Sequence, residues 1–360
     1  MKRPVIVLTG GGTAGHVSVN EAIIPAFLER GYEIHYIGSH EGIERDLIGK
    51  GHPEVIYHAI DSGKLRRYFS MKNFTDPFRV GAGVLQAYSI LRKLKPEIIF
   101  SKGGFVSVPV VLAAKLARIP VVAHESDVSP GLANKLALPF AKHIFTVFEE
   151  TLAYVPADRS SCIGAIIRPE LFDGDRKTGL RMAGLSEGKP VLIVMGGSQG
   201  SAVLNEGIRG CLPELLSRFQ VIHLCGKGNL DESLDSREGY VQFEYVTEGL
   251  PHLLAASDYA LSRAGSNAIF ELLAVRIPML LVPLSAEKSR GDQILNARHF
   301  KKLGYARVLT EEELTETELL LSLDGLKDDR QAILATMEKT DSTKTPEEMA
   351  DLILGCRTGA

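Results

Sequence analysis

The segment Val191-Leu-Ile-Val-Met-Gly-Gly-Ser-Gln-Gly-Ser201 decides the fold. Five apolar residues give way to a Gly-Gly-Ser-Gln-Gly turn, and a helix-competent run, Ala202 to Ile208, follows. This is the pattern of a buried parallel strand, a tight loop and a helix start. Glycines let the backbone come close to a bound group, and a helix N-terminus offers unpaired N–H groups and a positive dipole end. Such a corner favours a phosphate or diphosphate. The device occurs twice, its twin being Val5-Ile-Val-Leu-Thr-Gly-Gly-Gly-Thr-Ala-Gly-His16. One glycine turn alone is equally a plain structural turn. Two of them, half a chain apart, predict two nucleotide-type α/β domains facing each other.

The 360 residues suffice for two domains with cores of their own. Hydrophobic residues at 45% and charged residues at 24% describe an ordinary globular protein. A net charge of −3 argues against nucleic acid as the main partner. The cysteines, Cys162, Cys211, Cys225 and Cys356, form no C-x-x-C pair and read as reduced packing residues of a cytosolic protein. The first apolar run is a strand ending in glycines, not a signal peptide. No run reaches the roughly 18 apolar residues of a membrane span.

In chain order, Val19, Ala22, Ile23, Ala26 and Phe27 share a helical face, Pro25 predicts a kink, and Gly31 is a C-cap candidate. Glu33 to Gly38 is the second strand. Residues 64–79 interleave Lys64, Arg66, Arg67, Lys72 and Arg79 with Leu65, Tyr68, Phe69, Met71, Phe74 and Phe78. Two readings are open: contact with an anionic membrane surface, or aromatics packed under a helix. The following helix is placed at about Val80 to Leu94. Pro96 to Ser101 is a strand followed by the glycine turn Lys102-Gly-Gly-Phe-Val106, and Pro109 to Leu116 is a helix. Ile119 to Glu125 is a strand ending in His124 and Glu125, with Ser126 and Asp127 beyond it. Ligands of open α/β sheets sit past such carboxyl ends; the alternative is that these residues cap the next helix. His143 to Phe148 closes the first half, and a linker is expected over Ala157 to Arg176.

The second half repeats the rhythm with strands at Val191–Met195, Val221–Cys225, Val241–Val246, Tyr259–Ser262 and Pro278–Pro283. Leu250–Ala256 reads as a short helix, and Arg290, Asp292, Gln293 and Asn296 as a loop. Thr345-Pro-Glu-Glu348 is a helix start with an N-cap, proline at N1 and acids in the first turn. The domains are therefore expected at 1–160 and 165–340, with the helix 345–356 crossing back onto the first. Gly196, Gly197, Ser198 and Gln199 offer backbone N–H groups and a hydroxyl. Gly265 and Ser266 open another helix at a strand end. Glu271 is positioned to accept two ribose hydroxyls, and Gln293 and Asn296 to bond sugar hydroxyls. Ser201-Ala202 follows Gly200 where a P-loop needs Lys-Ser/Thr, which argues against ATP hydrolysis of that type.

These segments together resemble the MurG family of inverting glycosyltransferases, which move N-acetylglucosamine from UDP-GlcNAc onto the undecaprenyl-diphosphate-muramoyl-pentapeptide (lipid I), giving lipid II of peptidoglycan. The matching segments are Gly11-Gly-Thr-Ala-Gly-His16, Lys102-Gly-Gly-Phe-Val-Ser107, His124-Glu125 with Gly131-Leu-Ala-Asn134, Gly196-Gly-Ser-Gln-Gly200, Ser262-Arg-Ala-Gly265 with Glu271, and Gln293-x-x-Asn296-Ala297. The resemblance implies a two-Rossmann-domain (GT-B) α/β fold with the active cleft between the domains. It implies a donor site of Thr13, Ala14, Gly15, Arg168, Gly197, Ser198, Gln199, Val246, Gly265, Ser266, Asn267, Ala268, Ile269, Phe270, Glu271 and Gln293. Gly12, Gly103, Gly104, His124, Glu125, Asp127 and Asn134 would lie on the acceptor side. The stretch 64–79 matches the family's membrane-touching region, which implies a peripheral protein on the cytoplasmic face of the membrane.

The chemistry this implies needs no cofactor and no metal, and no D-x-D pair stands out. Charge grows on the β-phosphate as UDP leaves, and helix N-termini and Arg168 are placed to stabilise it. His16 is the candidate base for the acceptor hydroxyl; its bland alternative is a residue that only bonds backbone or diphosphate. The chain departs from the family pattern at Ala14, Asp127, Ala165 and Asp292, where the family has Gly, Asn, Asn and His. These departures leave two other readings open: the same fold with another acceptor, a glycolipid or secondary metabolite, and a UDP-sugar-binding protein without turnover.

Overall fold

A computed structural model describes residues 3–63, 72–197, 199–246, 248–287, 289–340 and 342–357, with 72–77 as helix backbone only. The chain divides into two compact units, Met1–Ile166 with Ser342–Ala360, and Ile167–Asp341.

The first unit runs β1 (Val5–Thr9), α1 (Gly15–Glu29), β2 (Glu33–Ser39), α2 (Ile43–Gly51), β3 (Ile56–Ile60), α3 (Lys72–Leu94), β4 (Ile98–Ser101), α4 (Ser107–Ala117), β5 (Val121–Glu125), α5 (Leu132–Ala137), β6 (His143–Thr146), β7 (Ser160–Cys162) and β8 (Ala165–Ile166). Seven parallel strands pair in the order β3-β2-β1-β4-β5-β6-β7. β1 is apolar on both sides because helices cover both faces. Ile6 and Leu8 point to one core with Val17, Ile23 and Phe27 of α1, while Val7 points to the other with Val110 and Val111 of α4. α1 ends as its glycine predicts. Gly31 takes a φ of 76°, and the amides of Gly31 and Tyr32 close onto Leu28 and Phe27.

The second unit runs α6 (Arg176–Ala183), β9 (Val191–Met195), α7 (Ala202–Gly210), α8 (Leu212–Arg218), β10 (Gln220–Leu224), β11 (Tyr240–Phe243), α9 (Leu250–Ala256), β12 (Tyr259–Ser262), α10 (Ser266–Ala274), β13 (Met279–Leu281), α11 (Asp292–Lys302), β14 (Ala306–Val308), α12 (Glu316–Asp328) and α13 (Arg330–Met337). Its six strands are also parallel, in the order β11-β10-β9-β12-β13-β14. The chain then returns to the first unit. β15 (Thr343–Lys344) pairs with β8, and α14 (Pro346–Gly355) packs on α1. A full capping box, Thr345 with Glu348, starts α14 behind Pro346. Met349, Ala350 and Ile353 are fully buried in the α1 core, and Arg30 pairs with Asp351 at 2.7 Å.

Some expected boundaries move. The expected linker holds β7, the seventh strand of the sheet, and β8; the half-buried Ser160-Ser161-Cys162 carries no apolar run to announce a strand. The helix expected from Val80 begins at Lys72. The polar segment expected as a loop around Gln293 is the helix α11, whose Ala297 and Phe300 are buried. Pro25 stands on the exposed side of α1, which continues unbroken to Glu29. Residues 64–71 of the basic-aromatic stretch lie outside the described residues. Among the described residues no helix is long and apolar enough to cross a membrane.

Met349→Ala should lower stability by about 2–4 kcal/mol, the cost of a cavity in a closed core. Urea unfolding measures it. A loss below about 0.5 kcal/mol would show that α14 is not part of the first core.

Candidate active site

In both sheets the strand order reverses at the first strand of the unit, between β1 and β4 and between β9 and β12. Loops leaving two such neighbours part to opposite sides and open a crevice at their carboxyl ends. The glycine turns lie there. In the first unit, Gly11 N donates to Gly103 O at 3.2 Å. A Cβ on Gly104, which has a φ of 82°, would stand 2.1 Å from Gly11 O. Gly103, with a φ of 97°, lies against the Asn134 amide. No side chain but hydrogen fits at these positions.

α1 begins with no side-chain cap on Ala14; its first turn is closed by backbone instead, His16 N donating to Thr13 O at 3.1 Å and Val17 N to Ala14 O at 3.0 Å, beside the exposed Gly12, Thr13 and Gly15. His16 sits in that first turn, partly exposed. Its Nδ1 is 3.1 Å from Gly11 O and 3.1 Å from Thr13 Oγ1. A carbonyl only accepts, so this bond assigns the proton to Nδ1 and the neutral ring's lone pair to Nε2.

The polar residues at the end of β5 are buried, and Asp127 just beyond it is partly exposed. His124 is fully buried, and among the described residues neither ring nitrogen has a hydrogen-bond partner. Burial, with the Lys102 cation nearby, holds its pKa well below the ordinary value, so it stays neutral. Glu125 accepts from Asp127 N at 3.0 Å, Gly131 N at 3.1 Å and Asn134 Nδ2 at 2.8 Å. It therefore shapes the loop between β5 and α5. Asn134 also donates to His124 O, and Thr151 Oγ1 holds Asp127 O at 3.0 Å. Lys102 is buried and donates to Ser126 Oγ; burial lowers its pKa.

In the second unit the two helix starts differ. Ser201 caps α7, accepting from Leu204 N at 3.3 Å. α10 starts at Gly265 and Ser266, and its N-cap glycine has no side chain to cap it; a helix N-terminus at a strand end is the kind of place that suits an anion. Gly197, with a φ of 90°, and Gln199 are exposed beside α7. Ser198 lies outside the described residues. Glu271, one turn into α10, is raised in pKa by burial, opposed by Arg168. Asn267 and Ala268 are partly exposed on the same helix, as is Val246 after β11. Ile269 and Phe270 are core side chains instead: Ile269 is fully buried, and Phe270 packs edge-on against Phe300 at 5.1 Å. Asn296 is buried and donates to Ala264 O at 3.2 Å, steadying the turn before α10. Gln293 Oε1 accepts from Leu284 N at 3.1 Å.

Two structural determinants were not singled out from the sequence. Glu44, in the first turn of α2, is 1% exposed and bonds the first glycine turn. Arg263 is buried against Glu311 at 2.5 Å and donates to Ser201 Oγ at 2.6 Å and Val282 O at 3.1 Å. It ties the α7 cap to the ends of β12 and β13. The Ser-Arg-Ala-Gly motif held that signal, but the partner Glu311 is 48 residues away. Arg263→Met should cost about 3–5 kcal/mol, because it removes the buried guanidinium that bonds Glu311, Ser201 Oγ and Val282 O together. Urea unfolding reads the loss directly, and a cost under about 1 kcal/mol would mean the pair is replaceable.

Comparison with known proteins agrees with this architecture. Residues 6–146 match the glycosyltransferase family 28 N-terminal domain, and residues 191–353 its C-terminal domain. A relative from Oceanobacillus iheyensis is 56% identical over 348 residues, 97% of each chain. One from Geobacillus thermodenitrificans is 55% identical over 351 residues, 98% of each chain. Both are named as the UDP-N-acetylglucosamine N-acetylmuramyl-(pentapeptide) pyrophosphoryl-undecaprenol N-acetylglucosamine transferase. The crystal structure of Acinetobacter baumannii MurG superposes with a TM-score of 0.77 at 22% identity, covering 98% of this chain and 100% of that one, a likeness of fold. The chain therefore belongs to glycosyltransferase family 28, and within it to the MurG family.

Proposed function

We infer that this protein transfers N-acetylglucosamine from UDP-N-acetylglucosamine to the lipid-linked N-acetylmuramyl-pentapeptide, the step that completes the disaccharide of the peptidoglycan precursor. The observation that carries this reading is the full-length likeness, 56% identical over 97% of both chains, to a relative named for that reaction. The departures at Ala14, Asp127, Ala165 and Asp292 lie within a chain alike along its length, which favours lipid I over another acceptor.

In this reading the second unit holds the donor. Glu271 accepts the ribose hydroxyls, and the uncapped N-terminus of α10 with Arg168 faces the diphosphate. Negative charge builds on the β-phosphate oxygen as its bond to the sugar C1 breaks, and these positive groups favour that state. The acceptor hydroxyl attacks C1 from the opposite side, and its proton passes to Nε2 of His16. An α-linked donor thus gives a β-linked product. We assign membrane contact to the stretch 64–79. Support comes from its described end, where Phe78 is 81% exposed beside Arg79, and from Leu85, 71% exposed two turns on in α3. A basic-apolar helix face of this kind suits a peripheral protein on the cytoplasmic surface of an anionic membrane.

The deciding assay follows labelled N-acetylglucosamine from UDP-N-acetylglucosamine to a soluble lipid I analogue, beside a UDP-binding titration. The expected result is a β-linked product, with kcat at least about 100-fold lower for His16→Ala and UDP affinity little changed. UDP binding without product would favour a binding role. Glu271 supplies a pH signature. Accepting two hydroxyl donors requires the carboxylate, and burial raises its pKa. UDP affinity should therefore fall with decreasing pH already above the ordinary glutamate range near ~4.3, and that limb should vanish in Glu271→Gln.

A further inference from the structure

We propose that Glu44 is a positioning residue for His16, acting through the single peptide group between Gly11 and Gly12. The inference rests on His16 being the base. Gly12 N donates to Glu44 Oε2 at 3.1 Å, and Gly11 O accepts from His16 Nδ1 at 3.1 Å. These are the two ends of one trans peptide. In a planar amide the N–H and C=O point in opposite directions. The carboxylate therefore sits at the positive end of that dipole and the imidazole at its negative end. A carboxylate on the N–H polarises the amide and strengthens the carbonyl as acceptor. The result fixes the ring with Nδ1–H inward and Nε2 as the basic nitrogen. It also stabilises the imidazolium formed once Nε2 takes the acceptor proton.

The surroundings of Glu44 are built for a carboxylate. It is 1% exposed, in a slot left by missing side chains. A Cβ on Gly11 would lie 2.4 Å from its Cδ, one on Gly42 2.1 Å from its Oε1, and one on Gly38 3.0 Å from its Cγ. Oε1 accepts from Ser39 N at 3.1 Å and Ser39 Oγ at 2.5 Å. Every hydrogen-bond partner of the carboxylate among the described residues is thus a neutral donor. With no ion pair to Glu44 among the described residues, its buried charge rests on these three hydrogen bonds. The peptide it polarises is the one that holds His16.

Glu44→Gln keeps the shape but cannot accept at both ends. We expect kcat for transfer to fall about tenfold, the usual loss when a carboxylate behind a reactive group is neutralised. KM for the sugar nucleotide and UDP affinity should stay within about twofold. In a His16→Ala background Glu44→Gln should cost no further rate. The ¹⁵N signals of the His16 ring should show Nδ1–H in the wild type and move toward the other tautomer in Glu44→Gln. Full kcat in Glu44→Gln, an unchanged ring, or an equal loss without His16 would overturn the proposal. If Glu44→Gln does not fold, the wild-type ring decides: Nδ1–H supports the relay and Nε2–H overturns it. Wild-type rates in His16→Ala would instead reject His16 as base, leaving the ring tautomers to judge the relay by themselves.

Discussion

The close approach of two backbone turns at a strand-order reversal is the constraint on which the first unit depends. β1 and β4 lie side by side, and the loops that leave them meet before they part. Gly11 donates to Gly103, and Gly104 lies so near Gly11 O that even a methyl group would collide. Much of what surrounds this point is held through backbone groups. Tyr36 bonds Gly10 O at 2.6 Å, Glu44 bonds Gly12 N, and His16 bonds Gly11 O. Side chains here serve mainly to fix peptide groups, and the peptide groups fix the imidazole.

The second unit meets the same topology with a different device. A buried arginine spans from the α7 cap to the end of β13, and its charge is matched by Glu311. One helix start is thereby closed by a hydroxyl while the neighbouring α10 is left uncapped. The asymmetry distinguishes two glycine turns that look alike on paper. α7 carries a side-chain cap at its first turn and α10 a bare glycine.

The features legible in the sequence are those imposed by local backbone rules. The strand–glycine–helix starts were readable because only glycine tolerates such turns, and the C-terminal helix because Thr345, Pro346 and Glu348 together spell a capping box. Features set by distant partners were not legible. Glu44 acts on a turn 32 residues away, and nothing near it in the chain signals that. Ile269 and Phe270 followed the motif into the donor list, yet helical spacing sends them into the core beside Phe300. Asn296 reads as a sugar-binding amide, and nothing local announces its burial or its bond to Ala264 O. β7 escaped notice because an edge strand with half-buried serines needs no apolar run.

The return of the chain to its first unit has a consequence for biosynthesis. Residues of the second unit, Ile167–Asp341, are contiguous and leave the ribosome as one block. The first unit lacks β15 and α14 until the whole second unit has been made, although Met349, Ala350 and Ile353 belong to its core. Domains generally fold as units during synthesis. Here the first unit is completed only after the second, so the α1 face that α14 covers stays bare while the whole second unit is synthesised.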